Sequence, residues 1–267
     1  MIKDITIGQY FPGKSPIHRM DSRVKILLTL VFIVMLFIAD GIWGLVVGVG
    51  FTVFAYAISK IPAKMIIKSL KPIVPIIIFT AILNLFFIRT GNVLFHAGFI
   101  KITDNGINTA VFMIVRIICL IVGTSLLTYT TSPIDLTDAI ERLLSPLKKI
   151  KVPVHELAMM MTIALRFIPT LIEETDKIMS AQKARGADME TGSLIQRAKA
   201  LIPVLIPLFV SSFRRAEELA LAMECRCYHG GEGRTRMKQL KTSAVDYIAF
   251  AFTAVFLAAV IAINHLV

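Results

Sequence analysis

Apolar residues run through this chain in five long stretches, at roughly 25–39, 42–58, 73–88, 107–130 and 245–264, separated by short polar connections. Crossing about 30 Å of hydrocarbon takes about 20 apolar residues of helix, so each stretch is expected to span a bilayer. The shorter ones need neighbours to cover their ends. The turn at Asp40 and Gly41 carries no Lys or Arg, whereas Lys60, Lys64, Lys68 and Lys71 crowd the next connection. Lys3, Lys14, Arg19, Arg23 and Lys25 crowd the N-terminus. The positive-inside rule then places the N-terminus in the cytoplasm, the connection 89–105 outside, and the C-terminus outside.

Between the fourth and fifth stretches the pattern changes. Residues 131–242 hold 17 of the 29 Lys and Arg residues and 13 of the 18 acids. Two apolar blocks lie within this region, at 157–171 and 201–213, but both are bounded or interrupted by charge, including Arg166, Arg197, Lys199, Arg214 and Arg215. Two extra spans are one reading of these blocks. The preferred reading is long helices whose apolar ends rest against the membrane while their polar ends project into the cytoplasm. The expected division is a cytoplasmic N-terminal segment (1–24), four spans (25–130), a cytoplasmic coupling domain of three helices (131–242) and a fifth span (243–267).

Composition agrees with a bilayer protein: 56% of the 267 residues are apolar and the mean hydropathy is +0.75. The net charge of +11 sits between apolar spans rather than on one soluble module, which points away from nucleic acid and toward topology. Three cysteines, Cys119, Cys225 and Cys227, are too few and badly placed for a disulfide framework and fit a reducing compartment. The N-terminus lacks the short apolar core and small-residue site of a signal peptide.

Three motifs invite chemistry. "GQYFPGKS", Gly8 to Ser15, fits the phosphate-loop pattern at every required position, yet Pro12 and Pro16 obstruct the helix that must follow, and no Walker-B-like strand appears downstream. It reads as the lead-in to a membrane helix. Cys225-x-Cys227-x-His229 offers soft ligands, but residues two apart on a helix point to nearly opposite sides and no fourth ligand is evident, so no metal site is expected. The third motif is repeated: two charged helical runs end in Ala184-Arg185-Gly186 and Cys225-Arg226-Cys227. Each sets a long cation between small side chains, so a partner could approach the backbone while the guanidinium clamps a carboxylate. Alone, each Arg would read as a solvated helix end near the negative pole of the dipole.

The N-terminal "GQYFPGKSPIHRMDSRVK", the two triplets about 40 residues apart and the "GEGRTR" that follows the second together resemble the T component of energy-coupling factor (ECF) transporters, the vitamin-uptake branch of the ABC transporters. The resemblance covers nearly the whole chain. It implies an all-α polytopic membrane protein of the bacterial cell membrane, with about five transmembrane helices and a cytoplasmic domain of long coupling helices. It also implies partners: two ABC ATPases, docked through Ala184, Arg185, Gly186, Cys225, Arg226 and Cys227, and a small substrate-binding membrane protein, the S component. The chain itself would be no enzyme and bind no cofactor; ATP and Mg would belong to the partner ATPases. Two departures stand out. Cys227 replaces a small residue such as Gly, putting a Gly-specific backbone angle after Arg226 in doubt, and Lys14 stands where the family often has an acid.

The equivalent subunit of a cobalt or nickel importer shares the triplets and is the nearer rival. An autonomous carrier or channel, the farther one, should carry a polar line through its spans, and beyond Arg116, Asn84 and a few hydroxyls this chain does not. Arg116 is either a functional intramembrane cation or an interfacial one. Pro203 and Pro207 break the amide ladder one turn apart and are expected to bend their helix, where they would meet or follow the S component.

Overall fold

The computed structural model describes residues 10–39, 41–88, 90–97, 100–188, 191–230 and 240–266. Each of the five apolar stretches forms a helix. After the short α1 (Pro16–Arg19) come α2 (Ser22–Ile38), α3 (Ile42–Ser59), α4 (Ala63–Leu70), α5 (Val74–Phe87), α6 (Asp104–Thr130), α7 (Pro133–Leu144), α8 (Val154–Ala184), α9 (Leu194–Glu224) and α10 (Ala244–Leu266). Among the described residues α3, α6, α8, α9 and α10 are long and apolar enough to cross a membrane, with a sixth if α4 and α5, bent by 59°, form one broken span. α2, with 17 residues, is about 26 Å long and needs its neighbours for a full crossing. The connection expected outside contains a small antiparallel hairpin, β1 (Val93–Ala97) with β2 (Ile100–Thr103), an element the apolar pattern did not predict.

The described residues divide into two compact units, one within Gly8–Ala139 and Gln239–Val267, the other within Ile140–Lys238. The first is a bundle in which α2, α3, α6 and α10 surround a core of Phe32, Met35, Leu36, Cys119 and Val260. Gly123 lets α6 approach α2: a Cβ there would stand 2.1 Å from the Phe32 ring. At one end of the bundle the last carbonyls of α2 are satisfied by side chains, Ile38 by Asn264 and Ala39 by Arg116 Nη2 at 2.6 Å. Arg116 also lies over the Phe112 ring, 4.5 Å from its centroid, so this cation is a helix cap inside the bundle.

The other end of the bundle gathers the starts of α2 and α10 and the ends of α3 and α6. Here the N-terminal motif does structural work. Phe11 N–H donates to Tyr129 O at 2.9 Å, and the buried Lys25 donates to Thr130 O (2.9 Å), His18 O (3.3 Å) and Thr131 Oγ1 (3.3 Å). Asp21 caps α2 and holds Arg23, while its own N–H donates to the buried Asp246 of α10 at 2.9 Å. Asp246 accepts in turn from Ser243 N–H at 2.7 Å. Arg23 Nη2 also donates to Leu240 O at 3.4 Å, so Arg23 and Lys25, read from sequence as topology charges, are clamps joining α2 to the segment before α10 and to α6.

Candidate functional site

The second unit is built around α8 and α9. α9 starts from a capping box, with Ser193 and Gln196 satisfying each other's backbone donors. Val204 is buried, and Leu208, Ser211, Arg215, Leu219 and Met223 follow at half-buried positions one turn apart, a narrow stripe along one face. The polar contacts fix the register. Glu174 accepts from Ser211 and from Arg215 Nη2 (2.5 Å), and Gln182 Nε2 donates to Pro203 O at 3.3 Å. Moving forward on α8 moves backward on α9, so the helices are antiparallel.

The Gln182 contact explains the proline pair. A helical carbonyl normally accepts from the N–H four residues on, and for Pro203 that residue is Pro207, which has none. The freed carbonyl is filled from α8. α9 runs as one helix through both prolines, which are exposed, and Pro203 contacts α8 through its carbonyl.

Both triplets close their helices in the same way. Beyond α8, Gly186 N–H donates to Lys183 O (3.0 Å) and Ala187 N–H to Gln182 O (3.0 Å); beyond α9, Cys227 N–H donates to Glu224 O (2.8 Å) and Tyr228 N–H to Met223 O (3.1 Å). Each pair of bonds is a Schellman closure, in which the residue after the arginine must be left-handed. Gly186 has φ +87° and Cys227 φ +55°. The angle that the sequence put in doubt after Arg226 is therefore adopted by a cysteine. Because backbone amides take these carbonyls, neither guanidinium is needed to cap its helix. All six triplet residues are exposed, and the guanidinium groups of Arg185 and Arg226 have no ion-pair or hydrogen-bond partner among the described residues.

The phosphate-loop look-alike is only partly described, Gly8 and Gln9 lying outside the described residues. Ser15, whose hydroxyl would face a metal in such a loop, is buried; it caps the four-residue α1 and pairs with His18 Nδ1 at 2.7 Å. Gly231 to Arg236, "GEGRTR", also lie outside the described residues. No group of three or more His, Cys, Asp or Glu side chains among the described residues is placed to hold a metal ion. Sequence reasoning placed Glu174 and Arg215 on solvated helix faces and missed their pairing, the Gln182 contact and the Asp21–Asp246 connection; for the last, a lone acid opening an otherwise apolar stretch, as Asp246 does, was the available signal.

Residues 13–237 match the family described as CbiQ, cobalt transport protein. The chain is 56% identical over 265 residues, 99% of both chains, to the energy-coupling factor transporter transmembrane protein EcfT of Ruminiclostridium cellulolyticum. It is 60% identical over 250 residues, 93% of both, to the protein of that name from Clostridium kluyveri. With the one from Bacillus subtilis it shares 47% over 246 residues, 92% of this chain and 93% of the other.

Proposed function

We propose that this chain, which belongs to the CbiQ family of cobalt transport proteins, is the transmembrane coupling subunit of an energy-coupling factor importer. In this reading two cytoplasmic ABC ATPases dock on Arg185 and Arg226, a substrate-binding membrane protein sits against the bundle and the coupling helices, and the substrate is a vitamin. The observation that carries the reading is the pair of matched helix ends, each presenting beside small residues an arginine whose guanidinium has no partner among the described residues. Burying such a cation against a carboxylate costs several kcal/mol when one partner is deleted, which makes the contact a firm joint.

The register of α8 and α9 supports a location at the membrane surface. Aligned through Glu174 with Ser211 and Arg215, the apolar block of α9 lies beside Glu173, Asp176, Lys177 and Lys183, and the apolar block of α8 faces the charged end of α9. As an upright hairpin in a bilayer the pair would bury charge at every depth. Lying along the interface, both apolar blocks meet lipid or a membrane partner, and both arginine ends remain in the cytoplasm. The exposed Ile202, Ile206, Phe209, Val210 and Phe213 form the surface available to it.

ATP binding would draw the two ATPases together and displace the two helix ends. Each arginine lies eleven residues beyond the Glu174–Arg215 contact, a lever of about 16 Å on each side. The braced pair would pass this displacement to the membrane partner, whose reorientation delivers substrate inward. The family description favours a second reading, in which the same joint serves a metal importer.

Extraction of the tagged chain in mild detergent, with mass spectrometry of what co-purifies, tests both readings. Two ABC ATPases and a small membrane protein in fixed ratio are expected, the third partner distinguishing vitamin from metal. Arg185→Ala with Arg226→Ala should release the ATPases while the chain stays inserted; an intact complex in the double variant would sink the joint.

A further inference from the structure

The bundle carries a cavity of about 310 Å³ between α2, α3, α6 and α10, walled mainly by Phe32, Phe51, Phe54, Leu126, Ile248 and Phe252 and partly open to the surroundings. Lys25 reaches its edge, but all three of its ammonium protons are already engaged. Next to it, sharing Pro16, is a smaller cavity of about 170 Å³ lined by Gly13, Lys14, Ser15, Ser59 and Lys60 among others. Among the described residues no acidic side chain lines this second cavity, and the exposed side chains of Lys14 and Lys60 have no ion-pair or hydrogen-bond partner.

We propose that the two cavities together form a binding site for one anionic phospholipid, an acyl chain in the apolar cavity and the phosphate headgroup between Lys14 and Lys60. The juxtaposition sets the chemistry. An occupant must be apolar at one end and anionic at the other, and it must be available to a bundle lying in a bilayer. Basic pockets where membrane helices end meet such headgroups, each Lys or Arg near the surface contributing about 1 kcal/mol. The loop that mimics a phosphate-binding motif in sequence thus meets phosphate, carried by a lipid. The inference needs only that the bundle is membrane-embedded and is independent of the coupling role.

The test is native mass spectrometry of the full chain, titrated with phosphatidylglycerol or phosphatidylcholine of identical acyl chains. Retention of one phosphatidylglycerol, preferred by about tenfold or more, is expected. Lys14→Gln with Lys60→Gln should equalise the two lipids, and Ala55→Phe, which fills the apolar cavity from another of its lining positions, should lose both. Lys64→Gln, exposed and outside both cavities, should keep the preference. Equal retention by the unaltered chain, or a preference that survives the double lysine change, would overturn the proposal. So would displacement of the lipid by millimolar inorganic phosphate or MgATP, which would mark a plain anion site.

Discussion

Glu174 on α8 holds Arg215 on α9 through a 2.5 Å contact, and its other carboxylate oxygen accepts from Ser211 one turn earlier. One acid therefore fixes both the register and the spacing of the helix pair. Glu174→Ala strands the guanidinium and the hydroxyl together. With side-chain exposures of 21% for Glu174 and 33% for Arg215, solvent blunts the loss, and about 1–2 kcal/mol is expected. A double-mutant cycle with Arg215→Met, read by thermal unfolding in detergent, should isolate a coupling of about 1 kcal/mol. Spin labels at Lys183 and Ala222, with Cys119, Cys225 and Cys227 replaced, should give a broader distance distribution in Glu174→Ala. An unchanged distribution would mean that the apolar stripe alone holds the pair.

The two helix ends should respond oppositely to exchange of their left-handed residues. Gly186 has φ +87° and open space where a Cβ would stand, so Gly186→Ala meets only backbone strain, costing about 1 kcal/mol. Cys227 already bears that strain at φ +55°, and Cys227→Gly should recover a similar amount. Hydrogen exchange of the Ala187 and Tyr228 amides, which close the two motifs, reads each effect locally. If Cys227→Gly loosened the Tyr228 amide, the left-handed assignment would be wrong.

These ends show what the chain discloses before it folds. The apolar stretches located α2, α3, α5, α6 and α10 because the length needed to cross hydrocarbon is written in composition, and the spacing of small residues around Arg185 and Arg226 marked both termini. What composition could not show was pairing between distant residues. The antiparallel register rests on Glu174 finding Ser211 and Arg215, and Arg116 caps a helix 77 positions away. Arg23 and Lys25 carried a topology signal that concealed their structural use, since a charge count does not reveal burial. The hairpin before α6 escaped notice although Ile100, Lys101, Ile102 and Thr103 alternate apolar and polar, because strands this short are easily passed over beside the long helical stretches that flank them.

The prolines of α9 yield a further prediction. Pro207→Ala restores an N–H that can bond Pro203 O, making the contact from Gln182 redundant. Gln182→Ala in the unaltered chain should cost about 1 kcal/mol, and nearly nothing in the Pro207→Ala background. Thermal unfolding of the four variants gives the coupling directly. Equal losses in both backgrounds would show that Gln182 acts elsewhere.

The N-terminal lock should be sensitive to acid. His18 Nε2 lies 3.0 Å from Phe11 O, which can only accept, so Nε2 carries the proton and Nδ1 accepts from the Ser15 hydroxyl at 2.7 Å. The neutral ring thus satisfies both its neighbours. Burial disfavours the cation; the Phe11 carbonyl partly offsets this, the nearby Lys25 ammonium adds to it, and the net pKa falls below the ordinary 6.5. The folded segment consequently binds the proton less readily than the unfolded one. Its stability is complete above about pH 6.5 and is lost as the pH drops from there through the lower folded value. Hydrogen exchange over residues 10–20, corrected for intrinsic rates, should show more frequent opening at pH 5.5 than at 7.5. In His18→Gln, which cannot titrate, this difference should vanish. Equal corrected protection at both pH values in the unaltered chain would mean that the imidazolium is accommodated, and that Ser15 and Phe11 do not depend on a neutral ring.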